Sequence, residues 1–265
     1  MRNMPLTEAE ILSNYTIAKE IFQMQLRAPE IAANAKPGQF VMVYLDSGQF
    51  MLPRPISICD ANPHTAVITL VYQVVGGGTK IMSEKQAGSK IKLLAPLGNG
   101  FYNPKSKCKK VALVGGGIGT APLFLLAKHV KYFNSSDIID EQFNSPGIIV
   151  DVYLGFRDEP IPISEFASLA DRLFIATEDG STGHHGRILD ILNESEYDEI
   201  FACGPIPMLR ALQSKVGKIT TQLSLEERMG CGIGTCVGCV VKVENTYTRI
   251  CCEGPVFYSS EVRWK

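Results

Sequence analysis

The sequence has no surplus of charge of either sign, because 26 lysines and arginines oppose 27 aspartates and glutamates. It contains no cluster of lysines and arginines of the kind that nucleic-acid-binding proteins use to contact phosphates. Internal repeats and low-complexity tracts are also lacking. The first residues, MRNMPLTEAEI, contain no apolar core of a secretory signal and turn acidic at once. We therefore expect a cytoplasmic protein that binds no nucleic acid.

Long hydrophobic runs are scarce, and one stretch approaches the length of a membrane span. Residues 111–127, VALVGGGIGTAPLFLLA, carry no charge and come close to the shortest transmembrane length. A glycine cluster divides the stretch, and Pro122 stands where a helix would make its first turn. The pattern predicts a buried strand, a glycine loop and a helix, so we expect no membrane association.

The pattern of residues changes twice along the 265 positions. Residues 1–103 contain short β-type runs separated by turn signals, which is typical of a small antiparallel barrel or sandwich. Residues 104–223 alternate strand-like and helical runs, which predicts a doubly wound parallel sheet. Residues 224–265 are rich in cysteine. The expected fold is a β-barrel, an α/β domain and a small C-terminal module.

Five of the eight cysteines lie between Cys231 and Cys252. Nothing suggests secretion, so this clustering indicates metal ligation or redox chemistry rather than disulfides. The spacing Cys231-x4-Cys236-x2-Cys239, followed by a distant cysteine, is the plant-type [2Fe–2S] pattern. Interspersed glycines would let the backbone wrap closely and direct N–H groups at sulfur. The alternatives are a structural zinc site, which usually has two C-x2-C pairs, and buried thiols without a ligand.

Two adjacent cysteines compete for the fourth ligand position. Cys251 and Cys252 both follow Cys239 at a suitable distance. Neighbouring side chains in an extended segment point to opposite faces. We therefore expect only one of the two to face the cluster unless the backbone is locally kinked.

Two glycine turns indicate a dinucleotide site in the α/β domain. In VALVGGGIGTAPL the turn between strand and helix would present free N–H groups to a pyrophosphate. Thr120 stands where a G-x-G-x-x-G fingerprint has its last glycine, and tight packing of the strand on the helix is an alternative explanation. In FACGPIPML, Cys203 would lie at the carboxyl edge of the sheet, where ligands bind. The alternative there is a buried, inert thiol.

Two stretches in the first hundred residues suggest a flavin. LPRPISICD places Arg54 between two prolines, positioned for a forked contact to a phosphate, and Ser57 could hydrogen-bond a flavin ring. VVGGGTKIMS has a glycine cluster before a helical segment with Thr79 near its start, which favours another phosphate. Each stretch alone is more often a turn than a site. Together they suggest two different phosphate-bearing cofactors.

Taken together, these motifs resemble the electron-transfer subunits of type B, NAD-dependent dihydroorotate dehydrogenases, in the ferredoxin reductase-like superfamily. In the family's order the chain contains PGQFV, RPISICD, GGGTKIMS, PLGNGF, VGGGIGTAPL, EDGSTGHHG, FACGPIPML, MGCGIGTCVGC and CCEGPVF. The resemblance covers nearly the whole chain. It implies an FAD-binding barrel at 1–103, an NAD-binding α/β domain at 104–223 and a [2Fe–2S] module at 224–265.

The resemblance also implies which residues hold the cofactors. The expected FAD contacts are Arg54, Pro55, Ile56, Ser57, Val71, Tyr72, Gln73, Gly78 and Thr79. The NAD candidates are Gly115, Gly116, Gly117, Gly119, Thr120, Cys203, Gly204 and Pro205, with Cys203 positioning the nicotinamide. The implied cluster ligands are Cys231, Cys236, Cys239 and Cys251, because Cys251 lies three residues before the glycine of GPVF. No side chain is expected as a catalytic acid or base.

The implied reaction is an electron relay in pyrimidine biosynthesis. A partner catalytic subunit would oxidise dihydroorotate on its FMN, and electrons would pass through [2Fe–2S] and FAD to NAD+. We expect a heterotetramer of two such chains and two catalytic subunits. NAD is favoured over NADP because Asp158 and Glu159 would repel a 2′-phosphate, although Arg157 could bind one. The alternatives are a reductase subunit of a ferredoxin, sulfide dehydrogenase or hydrogenase complex, and a non-enzymatic iron–sulfur redox sensor.

Overall fold

Six strands in the first hundred residues close into an antiparallel barrel. The computed structural model describes residues 6–45, 48, 51–133, 147–161, 165–244 and 246–264. The elements of this first part are β1 (Thr7–Ala18), β2 (Ile21–Arg27), α1 (Pro29–Asn34), β3 (Phe40–Tyr44), β4 (Arg54–Asn62), β5 (Val67–Gln73), α2 (Gly77–Ser83) and β6 (Lys90–Leu97). Their order around the barrel is β1-β2-β5-β4-β3-β6, and β6 pairs back with β1.

The barrel forms because its strands alternate apolar and polar residues. In β6 the side chains of Ile91, Leu93, Ala95 and Leu97 are buried, while those between them stay at least partly accessible. Successive side chains of a strand point to opposite faces, so this alternation directs one face to the interior. The predicted antiparallel barrel is confirmed.

The second part is an α/β sheet, and the chain ends in three short strands. The elements are β7 (Lys110–Gly116), α3 (Ala121–Phe133), β8 (Ile149–Phe156), α4 (Phe166–Leu169), β9 (Arg172–Thr177), β10 (His184–His185), β11 (Glu199–Cys203), α5 (Ile206–Val216), β12 (Thr220–Ser224), β13 (Val240–Val243), β14 (Thr246–Arg249) and β15 (Val256–Tyr258). A 3-10 turn at Gly117–Thr120 joins β7 to α3. In the described chain no helix combines the length and the apolar character needed to cross a membrane.

The large sheet has a switch point in its strand order. The order is β10-β9-β8-β7-β11-β12-β15, and all pairs are parallel except β12 with β15. From β7 the chain first adds strands on one side and later adds β11 and β12 on the other. Ligands of open α/β sheets bind where the order reverses, at the carboxyl ends of the strands. This places the expected nucleotide crevice between β7 and β11.

Helices cover both faces of this sheet. In β7 the side chains of Val111 and Leu113 belong to the same apolar cluster as Leu123 of α3. Ala112 lies in the other cluster, together with Leu212 of α5. Alternate residues of one strand therefore pack under different helices, which confirms the doubly wound fold.

The cysteine-rich segment is tied to the sheet rather than appended to it. Strands β13 and β14 form a separate two-stranded sheet, whereas β15 pairs antiparallel with β12. The predicted boundary at 103/104 falls between β6 and β7, and the one at 223/224 falls at the end of β12. Both boundaries stay predictions.

Candidate functional site

The loop that carries three cysteines is fixed by glycines lying against the barrel and the neighbouring cysteine turn. Gly232 and Gly234 have φ values of +72° and +81°, which favour glycine. A Cβ atom on Gly232 would lie 3.0 Å from Sδ of Met42 in β3, and one on Gly234 would lie 2.5 Å from Sγ of Cys252. The loop therefore approaches both neighbours more closely than any side chain would allow.

Backbone N–H groups point at the sulfur of Cys231. The N–H groups of Ile233 and Cys236 donate to Sγ of Cys231 at 3.5 and 3.4 Å. Burial raises the pKa of the Cys231 thiol, but these hydrogen bonds outweigh burial and lower the pKa to about 7. The loop is thus arranged to stabilise a thiolate at this position, as a metal ligand requires.

A second pair of cysteines has a similar arrangement. The N–H of Gly234 donates to Sγ of Cys251 at 3.2 Å, and the N–H of Cys251 donates to Sγ of Cys239 at 3.4 Å. The pKa of Cys251 lies well above its usual range, mainly because the thiol is buried and secondly because the Cys239 thiol is adjacent. Cys239 and Cys251 are both buried.

The four expected ligands lie in two pairs of thiols. The backbone N–H of Cys236 donates to Sγ of Cys231, and the backbone N–H of Cys251 donates to Sγ of Cys239, so each of these pairs is brought together by the loop. In the described residues no three or more cysteine, histidine or acidic side chains group closely enough to hold one metal ion. A [2Fe–2S] cluster has two irons with two protein ligands each. Two thiol pairs with N–H donors at their sulfurs fit that requirement.

The segment carrying Cys251 and Cys252 is a turn rather than an extended segment. The N–H groups of Cys252 and Glu253 both donate to the carbonyl of Arg249, at 3.1 and 3.0 Å. In such a turn, neighbouring side chains diverge by roughly 100°, as in a helix, instead of pointing to opposite faces. Both sulfurs consequently lie beside Gly234.

One residue of the barrel holds this turn in place. The side-chain amide of Asn99 donates to the carbonyls of Cys252 and Glu253 at 3.1 and 3.0 Å, and its backbone N–H donates to the carbonyl of Gly254 at 2.6 Å. Asn99 belongs to PLGNGF and follows β6. Sequence reasoning named the motif but not this role, because the contacts join residues more than 150 positions apart.

The expected FAD phosphate contacts meet where α2 faces the start of β4. A Cβ on Gly78 would lie 2.5 Å from Cζ of Arg54, so the guanidinium rests against the glycine backbone. Nη1 of Arg54 donates to the carbonyl of Leu52 at 2.6 Å. Thr79 Oγ1 accepts the N–H groups of Val75 and Gly76 at 2.9 and 3.2 Å. Arg54, Gly78 and Thr79, far apart in sequence, are thereby brought to one place.

The remaining FAD candidates lie along two strands of the barrel. Pro55, Ile56 and Ser57 are half-buried in β4. In β5, Tyr72 points into the barrel, where its hydroxyl donates to Oδ1 of Asn14 at 2.9 Å. Val71 is buried in the apolar cluster that includes α3, and Gln73 is exposed. The side chain of Tyr72 is therefore engaged in the barrel core, which leaves its backbone for a cofactor.

The flavin candidates and the cysteine loop are neighbours. Met42 of β3 pairs with Pro55 of β4, and Met42 also contacts Gly232 in the loop. A Cβ on Gly230 would lie 3.9 Å from Cδ2 of Leu52, two residues before Arg54. We call the thiols of Cys231, Cys236, Cys239 and Cys251 the cysteine centre. The loop that carries the first three of them thus lies one strand away from the expected FAD contacts.

The two glycine turns of the α/β domain meet at the switch point. Gly115 pairs with Cys203 across β7 and β11. A Cβ on Gly119 would lie 2.6 Å from Cα of Gly204, and one on Gly116 would lie 2.9 Å from Cδ of Pro205. The two turns therefore pack closely against each other at these glycines. Gly117, with a φ of +52°, faces open space at the same edge.

Thr120 and Cys203 are buried at this edge of the sheet. Thr120 Oγ1 donates to the carbonyl of Gly117 at 2.9 Å. Sγ of Cys203 lies 3.9 Å from Oε1 of Glu226. Burial, and then the Glu226 charge, hold the pKa of Cys203 well above its usual range, so the thiol stays protonated. It is placed to position a ligand rather than to attack one.

Glu226 is a candidate residue that sequence reasoning missed. It follows β12 and is exposed, and Oε1 of its carboxyl group lies 3.9 Å from Sγ of Cys203. Burial raises the pKa of this carboxyl, with a smaller opposing effect from the hydrogen bond of Cys203. Its position after a strand at the carboxyl edge was the available signal, but its contact with Cys203 depends on the pairing of β11 with β12.

Comparisons of sequence agree with this arrangement. The family model described as the iron-sulfur cluster binding domain of dihydroorotate dehydrogenase B matches residues 226–263. A Geobacillus protein (strain WCH70) named dihydroorotate dehydrogenase B (NAD(+)), electron transfer subunit, is 39% identical over 268 residues, covering 98% of this chain and 99% of the relative. The Fusobacterium nucleatum protein of the same name is 37% identical, with the same coverage.

Solved structures show related folds. One is the structure described as NADH-dependent reduced ferredoxin-NADP oxidoreductase, with 28% identity and a TM-score of 0.82 over 100% of this chain and 92% of that one. Phthalate dioxygenase reductase is similar with 17% identity and a TM-score of 0.58, covering 80% of this chain and 64% of that chain. The second likeness shows the fold alone.

Proposed function

The chain belongs to the family of dihydroorotate dehydrogenase B electron transfer subunits, and we propose that it conducts electrons from the FMN of a catalytic subunit through [2Fe–2S] and FAD to NAD+. The observation that carries this proposal is the contact of the cysteine loop with β3, beside the strand of the expected flavin contacts. Electron exchange needs centres close together in a fixed arrangement, and this packing supplies it.

The cofactors supply the electron and hydride chemistry, while the chain places and tunes them. Cys231, Cys236, Cys239 and Cys251 would hold the cluster, with N–H groups of the loop stabilising the charge on sulfur. Arg54 would bind the FAD phosphates, with its guanidinium set by Gly78. The turns after β7 and β11 would bind NAD at the switch point.

Cys203 and Glu226 would line the place of the nicotinamide ring. Both lie at the carboxyl edge of the sheet, and the protonated thiol faces the carboxyl group. We assign them positioning roles, because the Cys203 thiol stays protonated and the proposed relay needs no acid or base from this chain.

The expected partner is an FMN-containing dihydroorotate dehydrogenase catalytic subunit. The names of the relatives describe an electron transfer subunit, which by itself implies a second subunit that oxidises the substrate. A heterotetramer of two plus two chains in the cytoplasm is the assembly that we propose.

Co-expression with the catalytic subunit from the same genome tests this function. Anaerobically purified complex should contain both chains, FAD, FMN and two irons per [2Fe–2S] cluster, and it should reduce NAD+ with dihydroorotate. The catalytic subunit alone is the control and should not reduce NAD+. A lone chain with full dihydroorotate activity, or a zinc-containing protein that binds no flavin after reconstitution, would contradict the proposal.

A reductase subunit of another complex is the second candidate. The 28% identical oxidoreductase matches this whole chain at a TM-score of 0.82. If the chain reduced its flavin with NADH but failed to bind the dihydroorotate-oxidising subunit, this candidate would be favoured. A redox sensor would show no reduction of bound flavin by NADH.

A further inference from the structure

Cys252 is a fifth thiol at the cysteine centre and has no place in a four-ligand set. It is half-buried, while Cys251 is 2% exposed. Both lie in the turn that follows β14 and precedes Gly254, so their side chains emerge from the same short segment.

The two sulfurs contact the same glycine. The N–H of Gly234 donates to Sγ of Cys251 at 3.2 Å, and a Cβ at that glycine would lie 2.5 Å from Sγ of Cys252. Only a residue without a side chain leaves room for the second sulfur. A change of one χ1 rotamer moves a cysteine sulfur by about 3 Å, which is comparable to the spacing of these groups.

Arg249 lies beside the same glycine. Nη1 of Arg249 donates to the carbonyl of Gly234 at 3.0 Å and lies 3.2 Å from the Cβ position of that residue. The guanidinium therefore lies next to the place where both sulfurs meet the loop.

The backbone of the turn is held independently of the ligand. Asn99 binds the carbonyls of Cys252, Glu253 and Gly254 through its amide and its N–H. Exchange between the two sulfurs therefore needs a side-chain rotation and no rebuilding of the loop.

We propose that Cys252 is a reserve ligand that binds the iron of the Cys239 pair when Cys251 is lost. This inference rests on the proposed function, since it presupposes the cluster. When Cys251 is absent, an Fe–S bond to Cys252 forms in place of the bond to Cys251, and the Cys252 thiol releases its proton to solvent. The iron and the sulfur keep their oxidation states, and the cluster keeps four thiolate ligands.

The test compares Cys251→Ala with the double variant Cys251→Ala/Cys252→Ala, each as full-length chain co-expressed with the catalytic subunit. The single variant should retain iron and a [2Fe–2S] absorption spectrum, with altered EPR g-values of the reduced cluster. The double variant should lose most of its iron. FAD content and far-ultraviolet circular dichroism report whether each chain is folded.

Two matched variants and the wild type serve as controls for this comparison. Cys252→Ala should keep the wild-type EPR spectrum, since Cys251 remains. Cys231→Ala should lose the cluster, because the Cys231–Cys236 pair has no adjacent spare cysteine. Iron-free wild-type complex would refute the proposed function. Wild type with iron, but equal iron in the Cys251 single and double variants, would refute the reserve ligand.

If Cys251→Ala does not fold, Cys251→Ser and Cys251→Ser/Cys252→Ala give the same comparison. X-ray absorption of iron should then show a shell of sulfur only in the single variant. An iron–oxygen contribution in the single variant equal to that in the double variant would mean that the introduced hydroxyl binds the iron, and the proposal would be wrong.

Discussion

Arg249 places a positive charge beside two cysteines, and Glu253 partly neutralises it. Nε of Arg249 donates to Oε2 of Glu253 at 3.2 Å, and the two groups form an ion pair at the edge of the centre. Net charge near an iron–sulfur cluster is one of the factors that set its reduction potential. Replacing either side chain should therefore change the reduction potential of the cluster without altering a cluster ligand.

We expect Arg249→Gln to lower the reduction potential of the cluster, because a nearby positive charge stabilises the extra electron. The shift should be on the order of tens of millivolts. Glu253→Gln is the matched variant and should raise the potential, since it leaves Arg249 unneutralised. A redox titration monitored by EPR measures both, and shifts of the same sign in the two variants would contradict the argument.

Residues whose role depends on spacing along the chain were predictable, and residues whose role depends on tertiary contacts were not. Cys231, Cys236 and Cys239 follow from a local pattern. Asn99 and Glu226 depend on partners 153 and 23 positions away. The turn that carries Cys251 and Cys252 was also not predictable, because it depends on hydrogen bonds to the carbonyl of Arg249 and on contacts with Asn99.

Helix α2 and strand β4 bring together residues that we expect to bind the FAD phosphates. Gly78 lies in α2 and its backbone supports the guanidinium of Arg54. Gly147, in the α/β domain, is exposed and has nothing within 4 Å of its Cβ position. It offers a comparison outside the expected cofactor sites.

We expect Gly78→Ala to weaken FAD binding at least tenfold, or by about 1.4 kcal/mol, because the added methyl group displaces the guanidinium. The fold should persist, since Arg54 is long enough to move aside and alanine favours a helix. Gly147→Ala should bind FAD as the wild type does. Fluorescence titration of apoprotein with FAD measures both affinities, and equal affinities would show that the Arg54 position does not govern binding.

The order of the elements followed from the sequence, but the connection of the last segment did not. Alternating strands and helices predicted the parallel part of the sheet. Strand β15 has only three residues, Val256–Tyr258, and such a short run carries little periodic signal. Its pairing with β12 is therefore visible only in the structure.

The two ends of the parallel strands have different roles in this protein. The carboxyl ends carry the candidate sites, while the opposite end carries a buried charge network around Asp151. Oδ2 of Asp151 accepts hydrogen bonds from Arg172 at 2.6 Å and from the hydroxyl of Tyr197 at 2.8 Å, and Lys110 lies 3.4 Å away. Desolvation opposes ionisation of Asp151, but these partners outweigh it and hold the pKa below its usual value.

We expect Asp151→Asn to destabilise the fold by about 2 kcal/mol at pH 7, because hydrogen bonds to a charged group are lost. The folded-state pKa lies below the unfolded one, so this stabilisation is complete above about pH 3.9 and is lost as pH falls through the folded-state pKa. The difference between wild type and variant should therefore shrink below pH 4.

Thermal unfolding of the FAD-bound chain, followed by circular dichroism from pH 7 to pH 3, measures this difference. Glu178→Gln, at an exposed position, serves as the control and should change little. A difference for Asp151→Asn that stays constant down to pH 3 would contradict the assigned direction of the pKa shift.

The return of the chain to β12 through β15 restricts how such a protein can be rearranged. The iron–sulfur segment connects two adjacent strands of the large sheet, β12 and β15. Truncation or gene fusion therefore could not remove this segment without also disturbing the sheet. Removing everything after β12 would expose the backbone N–H and C=O groups on the edge of β12. Such an exposed edge favours pairing with the same edge of a second copy of the chain. A descendant that dispensed with the cluster would need a substitute outer strand.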